Sequence, residues 1–94
     1  MARKRDEVVE LFDTALDFAK RENYTMAIQL IEKTLSLDPN YSEAHYGLGL
    51  IYLLAENRKS AIHQCEVLGN LNQRLKNRLS DHINGNGRAE IDMT

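Results

Sequence analysis

Laid against itself with an offset of 34 residues, the chain repeats. Leu16 falls on Leu50, Glu22 on Glu56, Asn23 on Asn57, Ala27 on Ala61, Ile28 on Ile62, Glu32 on Glu66 and Leu37 on Leu71. Phe12 likewise falls on Tyr46, Phe18 on Tyr52 and Ala15 on Gly49. A period of this length marks a stacked array, in which no unit buries its apolar face alone and each lays it on a neighbour. In the first copy Val8, Leu11, Phe12, Ala15, Leu16, Phe18 and Ala19 follow helical spacing between Glu7 and Arg21, with no Gly or Pro. Glu22-Asn23 interrupts that helix, and asparagine suits a left-handed turn. A second helix is expected over residues 25–37 through Ala27, Leu30, Ile31, Thr34 and Leu35. Asp38-Pro39-Asn40 stops it, because proline disfavours helical geometry in the residue before it.

The second copy opens on Ala44–Ala55, a run without a formally charged residue. It is too short to span a bilayer, which takes about 20 apolar residues. The run therefore reads as a helix surrounded by protein. His45, Leu48, Gly49 and Tyr52 line one face of it, and Tyr46, Leu50 and Leu53 a second. A helix apolar on two faces needs two sets of neighbours. Asn40 or Ser42 is the expected N-cap. Glu56-Asn57 interrupts, and a fourth helix starts near Lys59. Gly49 lies on the packed stripe, where glycine costs about 1 kcal/mol against alanine, so a close helix approach involving Ala61 is expected there. Gly47 has no such reason. After Cys65 the repeat lapses, but Leu68, Leu71, Leu75, Leu79 and Ile83 continue at helical spacing. Asn72 is placed to cap a fifth helix over residues 73–84, ended by Asn84-Gly85. A single helix from Lys59 to Ile83 is the competing arrangement.

These residues resemble the tetratricopeptide repeat (TPR) family, whose pattern runs W-x2-L-G-x2-Y, then A-x3-F, then P. The second copy reads His45-x2-Leu48-Gly49-x2-Tyr52, then Ala61-x3-Cys65; the first reads Leu11-x2-Thr14-Ala15-x2-Phe18, then Ala27-x3-Ile31, then Pro39. The resemblance covers residues 8–75, with Trp missing from both copies and Gln73 standing where the second proline belongs. It implies an all-α fold, a TPR-like right-handed superhelix of two helix-turn-helix repeats plus a capping helix. The expected division is a polar lead-in 1–7, repeats at 8–41 and 42–72, a cap at 73–84 and a disordered tail at 85–94. It also implies that the first helices of successive repeats line a concave groove. On the 34-residue register that floor pairs Phe12 with Tyr46, Leu16 with Leu50 and Ala19 with Leu53, flanked by Asp13, Lys20 and Glu43.

With 94 residues there is room for one domain, and the net charge of −2 gives no bulk pull toward nucleic acid. Arg74, Lys76, Arg78 and Arg88 do not form one stripe and lack interleaved aromatics, so nucleic acid is not an expected partner. Arg3-Lys4-Arg5 resembles the start of a signal peptide, but Asp6, Glu7 and Glu10 stand where its apolar core is required. One cysteine allows no internal disulfide and fits a reducing compartment, so a cytoplasmic location with no membrane contact is expected. In that setting Asn23-Tyr24-Thr25 and Asn40-Tyr41-Ser42 carry no weight as glycosylation sites. Cys65 reads as a structural thiol. His63 points away from it on a helix, and no Cys or His pair has zinc spacing. His45 stands in for the family's Trp and packs beside neighbouring helices, while His82 belongs in solvent. No catalytic, cofactor or metal constellation is present, so an enzyme is not expected. The expectation is non-catalytic protein binding, with the groove residues Phe12, Asp13, Leu16, Lys20, Tyr46, Leu50 and Leu53 gripping an apolar or helical segment. A groove mixing Asp13 and Glu43 with Lys20 does not suit the gripping of acidic tails. The alternative is a self-associating module, with domain swapping as one form of it, using the same surface; a homo-oligomer would follow.

Overall fold

A computed structural model describes residues 4–85, and it is helical throughout its ordered elements: α1 (Lys4–Lys20), α2 (Tyr24–Leu37), α3 (Ser42–Leu54), α4 (Arg58–Leu68) and α5 (Gln73–Ile83). Expectations for residues 1–3, for the tail beyond Gly85 and for Arg88 lie outside the described residues. Helix α1 is already formed at Lys4, the first described residue, three residues ahead of the expected start at Glu7. Residues 59–83 form two helices, not one.

The 34-residue repeat is visible as repeated hydrogen bonding. Asn23 N–H donates to Phe18 O at 2.9 Å, and Asn57 N–H to Tyr52 O at 2.7 Å. Glu22 N–H donates to Ala19 O at 2.9 Å, and Glu56 N–H to Leu53 O at 3.0 Å. The side chains of Asn23 and Asn57 then accept from Met26 N–H (3.3 Å) and Ser60 N–H (3.2 Å), capping the next helix. This corrects the expected role of asparagine. The left-handed residues are Glu22 (φ 64°) and Glu56 (φ 61°), and the asparagines are N-caps. Each turn is thus a helix stop followed at once by a helix start, which folds α1 on α2 and α3 on α4.

Helix α3 touches every other helix, whereas α1 and α2 do not reach α4 or α5. Its two apolar faces serve two clusters. Ala44, Leu48 and Ile51 pack with Phe12, Ala15, Leu16, Ala19, Ala27 and Ile31 of the first hairpin. Tyr46 and Leu50 pack with Ala61, Cys65 and Leu68 of α4 and Leu75, Leu79 and Ile83 of α5. Both glycines are explained by close approach. A methyl group on Gly47 would sit 3.1 Å from the Phe12 ring, and one on Gly49 would sit 2.5 Å from Leu79 Cδ2. The space left by Gly49 therefore admits α5, a neighbour that the repeat pattern did not supply; Ala61 is buried in the same cluster.

The α4–α5 break needs no proline. Asn72 N–H donates to Leu68 O at 2.8 Å, then Asn72 turns extended (φ −157°, ψ 97°) and its side chain accepts from Leu75 N–H at 3.1 Å. At the other end of α5, Arg58 Nη1 donates to Ile83 O at 2.6 Å, placing a cation at the negative end of the helix.

Candidate functional site

The expected groove floor is closed. Phe12 (4% exposed), Leu16 (9%), Tyr46 (0%) and Leu50 (0%) are all buried. The physical reason is that stacking uses these same side chains. Gly47 brings α3 down on Phe12 and Leu16, and α5 lies on Tyr46 and Leu50. Ala19 is buried with them, while Asp13, Lys20 and Glu43 are exposed and Leu53 is half-buried. The accessible part of the expected site is thus its charged rim and one leucine. Arg78 lies over the Tyr46 ring at 5.3 Å, a cation–π contact that adds a polar edge to the cover.

An open cavity lies where α2 hands over to α3. It measures about 680 Å3, between Arg5, Val8 and Val9 of α1 and the segment Leu37–Glu43. The segment is held from both sides. Asp38 accepts from Asn40 N–H through Oδ1 at 3.3 Å and from Tyr41 N–H through its carbonyl at 3.2 Å. The Pro39 carbonyl accepts from His45 Nε2 at 2.8 Å, and His45 Nδ1 lies 2.8 Å from Gln64 Oε1. His45 is therefore a polar tie between this loop and α4. Tyr41, not Asn40 or Ser42, is the N-cap of α3, and it makes no side-chain cap bond. Its ring is half-buried against Phe12, with centroids 5.3 Å apart and planes tilted by 55°. Burial, then Glu43 and Asp13, raise the Tyr41 phenol above its ordinary pKa, with Arg5 opposing and Asp38 adding. Sequence reasoning passed over Tyr41, although an aromatic directly after a proline stop and flanked by carboxylates was there to be read.

Cys65 is buried, its thiol 3.6 Å from Lys76 O, and burial raises its pKa despite Lys76, which makes it a poor nucleophile. Among the described residues no group of three or more His, Cys, Asp or Glu is placed to hold a metal ion. None of the described helices is long and apolar enough to cross a membrane. His82, expected in solvent, is half-buried.

No protein-family model matches the chain, and no solved structure does. Over 72 residues it is 33% identical to the BBSome complex member BBS4 homolog of Drosophila melanogaster. It is similar to a complex member. The match takes in 76% of this chain but 15% of that protein, so the chain spans a small part of the relative's length.

Proposed function

We propose that this chain is a non-catalytic protein-binding module of the TPR kind, acting in the cytoplasm as a component of a protein complex. Its partner would lie along the α1–α3 side, contacting Asp13, Lys20, Glu43 and Leu53, with Phe12, Leu16, Tyr46 and Leu50 as the supporting floor beneath. The observation that carries this reading is the repetition of both turns, hydrogen bond for hydrogen bond, at the family's 34-residue spacing. The similarity to a named complex member supports it.

An outside partner is favoured over stacking of copies by what stands at the two ends. Helix α3 docks on the first hairpin through Ala44, Leu48 and Ile51. One period earlier, α1 carries Glu10, Thr14 and Asp17 at those positions, all exposed. A further hairpin laid there would bury two carboxylates without partners, which is costly. The outer face of α5 is also polar, with Gln73, Arg74, Asn77, Asp81 and Asn84 exposed. Polar outer faces of this kind are what terminal units of a stack require. The test is capture of a partner from the source cell extract by the wild-type chain and by Lys20→Glu/Leu53→Asp. Reproducible capture by the first and loss in the equally folded second is expected; equal capture by both would remove this side from the account.

A further inference from the structure

The cavity beside Tyr41 has a chemistry of its own, and reading it rests on the protein-binding role above. Among the described residues, the carboxylates of Glu43, Asp13 and Asp38 act on Tyr41 against the guanidinium of Arg5. Asp38, Glu43 and Arg5 also line the cavity. At physiological ionic strength the screening length is about 8 Å, so near charges weigh most, and those of the described lining residues, Asp38 and Glu43 against Arg5, sum to a negative charge. Beside Asn40 and Ser42 the lining also has an apolar part, where Val9 is 40% exposed and Leu37 half-buried. The floor is rigid, because Tyr41 rests on the buried Phe12 ring and the loop is tied through Pro39 to His45. An aromatic face ringed by carboxylates attracts a cation, and the apolar wall takes the aliphatic stem that carries it.

We propose that this cavity docks an extended, positively charged segment of a partner protein, one Lys or Arg lying over Tyr41 between Asp38 and Glu43, with an aliphatic neighbour on Val9 and Leu37. Helix α1 extends the same field, since Glu7, Glu10 and Asp17 are exposed along it. Among the described lining residues Arg5 carries the charge that opposes the ligand. Its removal therefore strengthens binding.

The probe is a fluorescein-labelled peptide, Gly-Val-Lys-Val-Lys-Val-Gly, with the Lys→Glu version as its counterpart, titrated with the full chain by anisotropy. The Lys peptide is expected to bind and the Glu peptide not, with affinity falling as salt rises. Asp38→Asn/Glu43→Gln should weaken binding about five-fold, the scale of two exposed charge pairs. Asparagine at 38 keeps the acceptor for Asn40 N–H, so the loop is preserved. Glu56→Gln/Asp81→Asn removes as much charge away from the cavity and should change nothing, while Arg5→Gln should tighten binding. Amide shifts on adding the peptide should map to residues 5–9 and 37–43. Equal binding of both peptides, equal loss in the remote variant, or shifts elsewhere would overturn the assignment, as would cavity shifts driven by protein concentration alone, which give the site to a second copy. Loss of this preference with partner capture intact would reject the cationic ligand and leave the protein-binding role standing.

Discussion

Replacing Tyr46 with alanine separates a covered face from an open groove. The ring is fully buried among Leu50, Ala61, Cys65, Leu68, Leu75, Leu79 and Ile83, with Arg78 across it. Truncating a buried aromatic to alanine costs about 3–5 kcal/mol, the lost transfer energy plus the cavity left behind. At roughly 0.05–0.15 kcal/mol per residue, a domain of this size is stable by about 5–14 kcal/mol, so a large share is lost. One kcal/mol moves the midpoint of a domain this small by about 4–8 °C, which gives a fall of about 12 °C or more. Thermal and urea melts by far-UV circular dichroism measure it, with Tyr46→Phe as the conservative control. That control keeps the ring and its packing, so it should melt much closer to the wild type than the alanine variant does. Leu79→Ala should be similarly damaging, and the double variant should fall short of additivity, because both side chains belong to one cluster. A Tyr46→Ala protein that melts with the wild type yet no longer captures a partner would refute the reasoning. It would mean that α5 leaves this face in solution and that Phe12, Tyr46 and Leu50 form an open floor.

The helix glycines should respond in a fixed order. Gly49→Ala forces a methyl group on the buried Leu79 and should cost about 1–3 kcal/mol, whereas Gly47→Ala meets only the edge of the Phe12 ring at 3.1 Å and gains helix propensity, so its melting point should lie clearly higher. Glu56→Gly relieves a left-handed glutamate (φ 61°) and should stabilise by about 0.5–1 kcal/mol in urea melts, with Glu22→Gly doing the same for the first turn. Burial raises the pKa of Tyr41 and Tyr52, with Glu32 adding at Tyr52, and of Cys65. The unfolded chain therefore loses those protons first. Stability is full below the unfolded values, about 8.5 for the thiol and 10 for the phenols, and is lost as pH rises through the higher folded ones. Melts across that range on wild type and on Tyr41→Phe/Tyr52→Phe should show a smaller alkaline loss in the variant.

The repeat and the central place of α3 were legible because both are written in side-chain type alone: paired residues at one period, and an uncharged run with two stripes. Asn72 was legible as a cap for the same reason. What covers a stripe is a different matter. Periodicity shows that Phe12, Leu16, Tyr46 and Leu50 share a direction, but it does not say whether a partner or the chain's own α3 and α5 lie on them. Counting faces decides it. The stripe Leu75, Leu79 and Ile83 needs a place to be buried, and the face of Tyr46 and Leu50 receives it. The turns misled for another reason. Asparagine is a good left-handed residue and a good N-cap, and here the capping use won, leaving the strained position to glutamate. Tyr41 lay at a loop position where helical pattern carries no information.

Light scattering of the full chain over a wide concentration range bears most directly on the proposed role as a closed stack that engages a different protein. Glu10, Thr14 and Asp17 at one end and the polar face of α5 at the other predict a monomer at every concentration. A mass that climbs with concentration toward a dimer or an open-ended assembly would contradict it and assign the surface to copies of the chain itself.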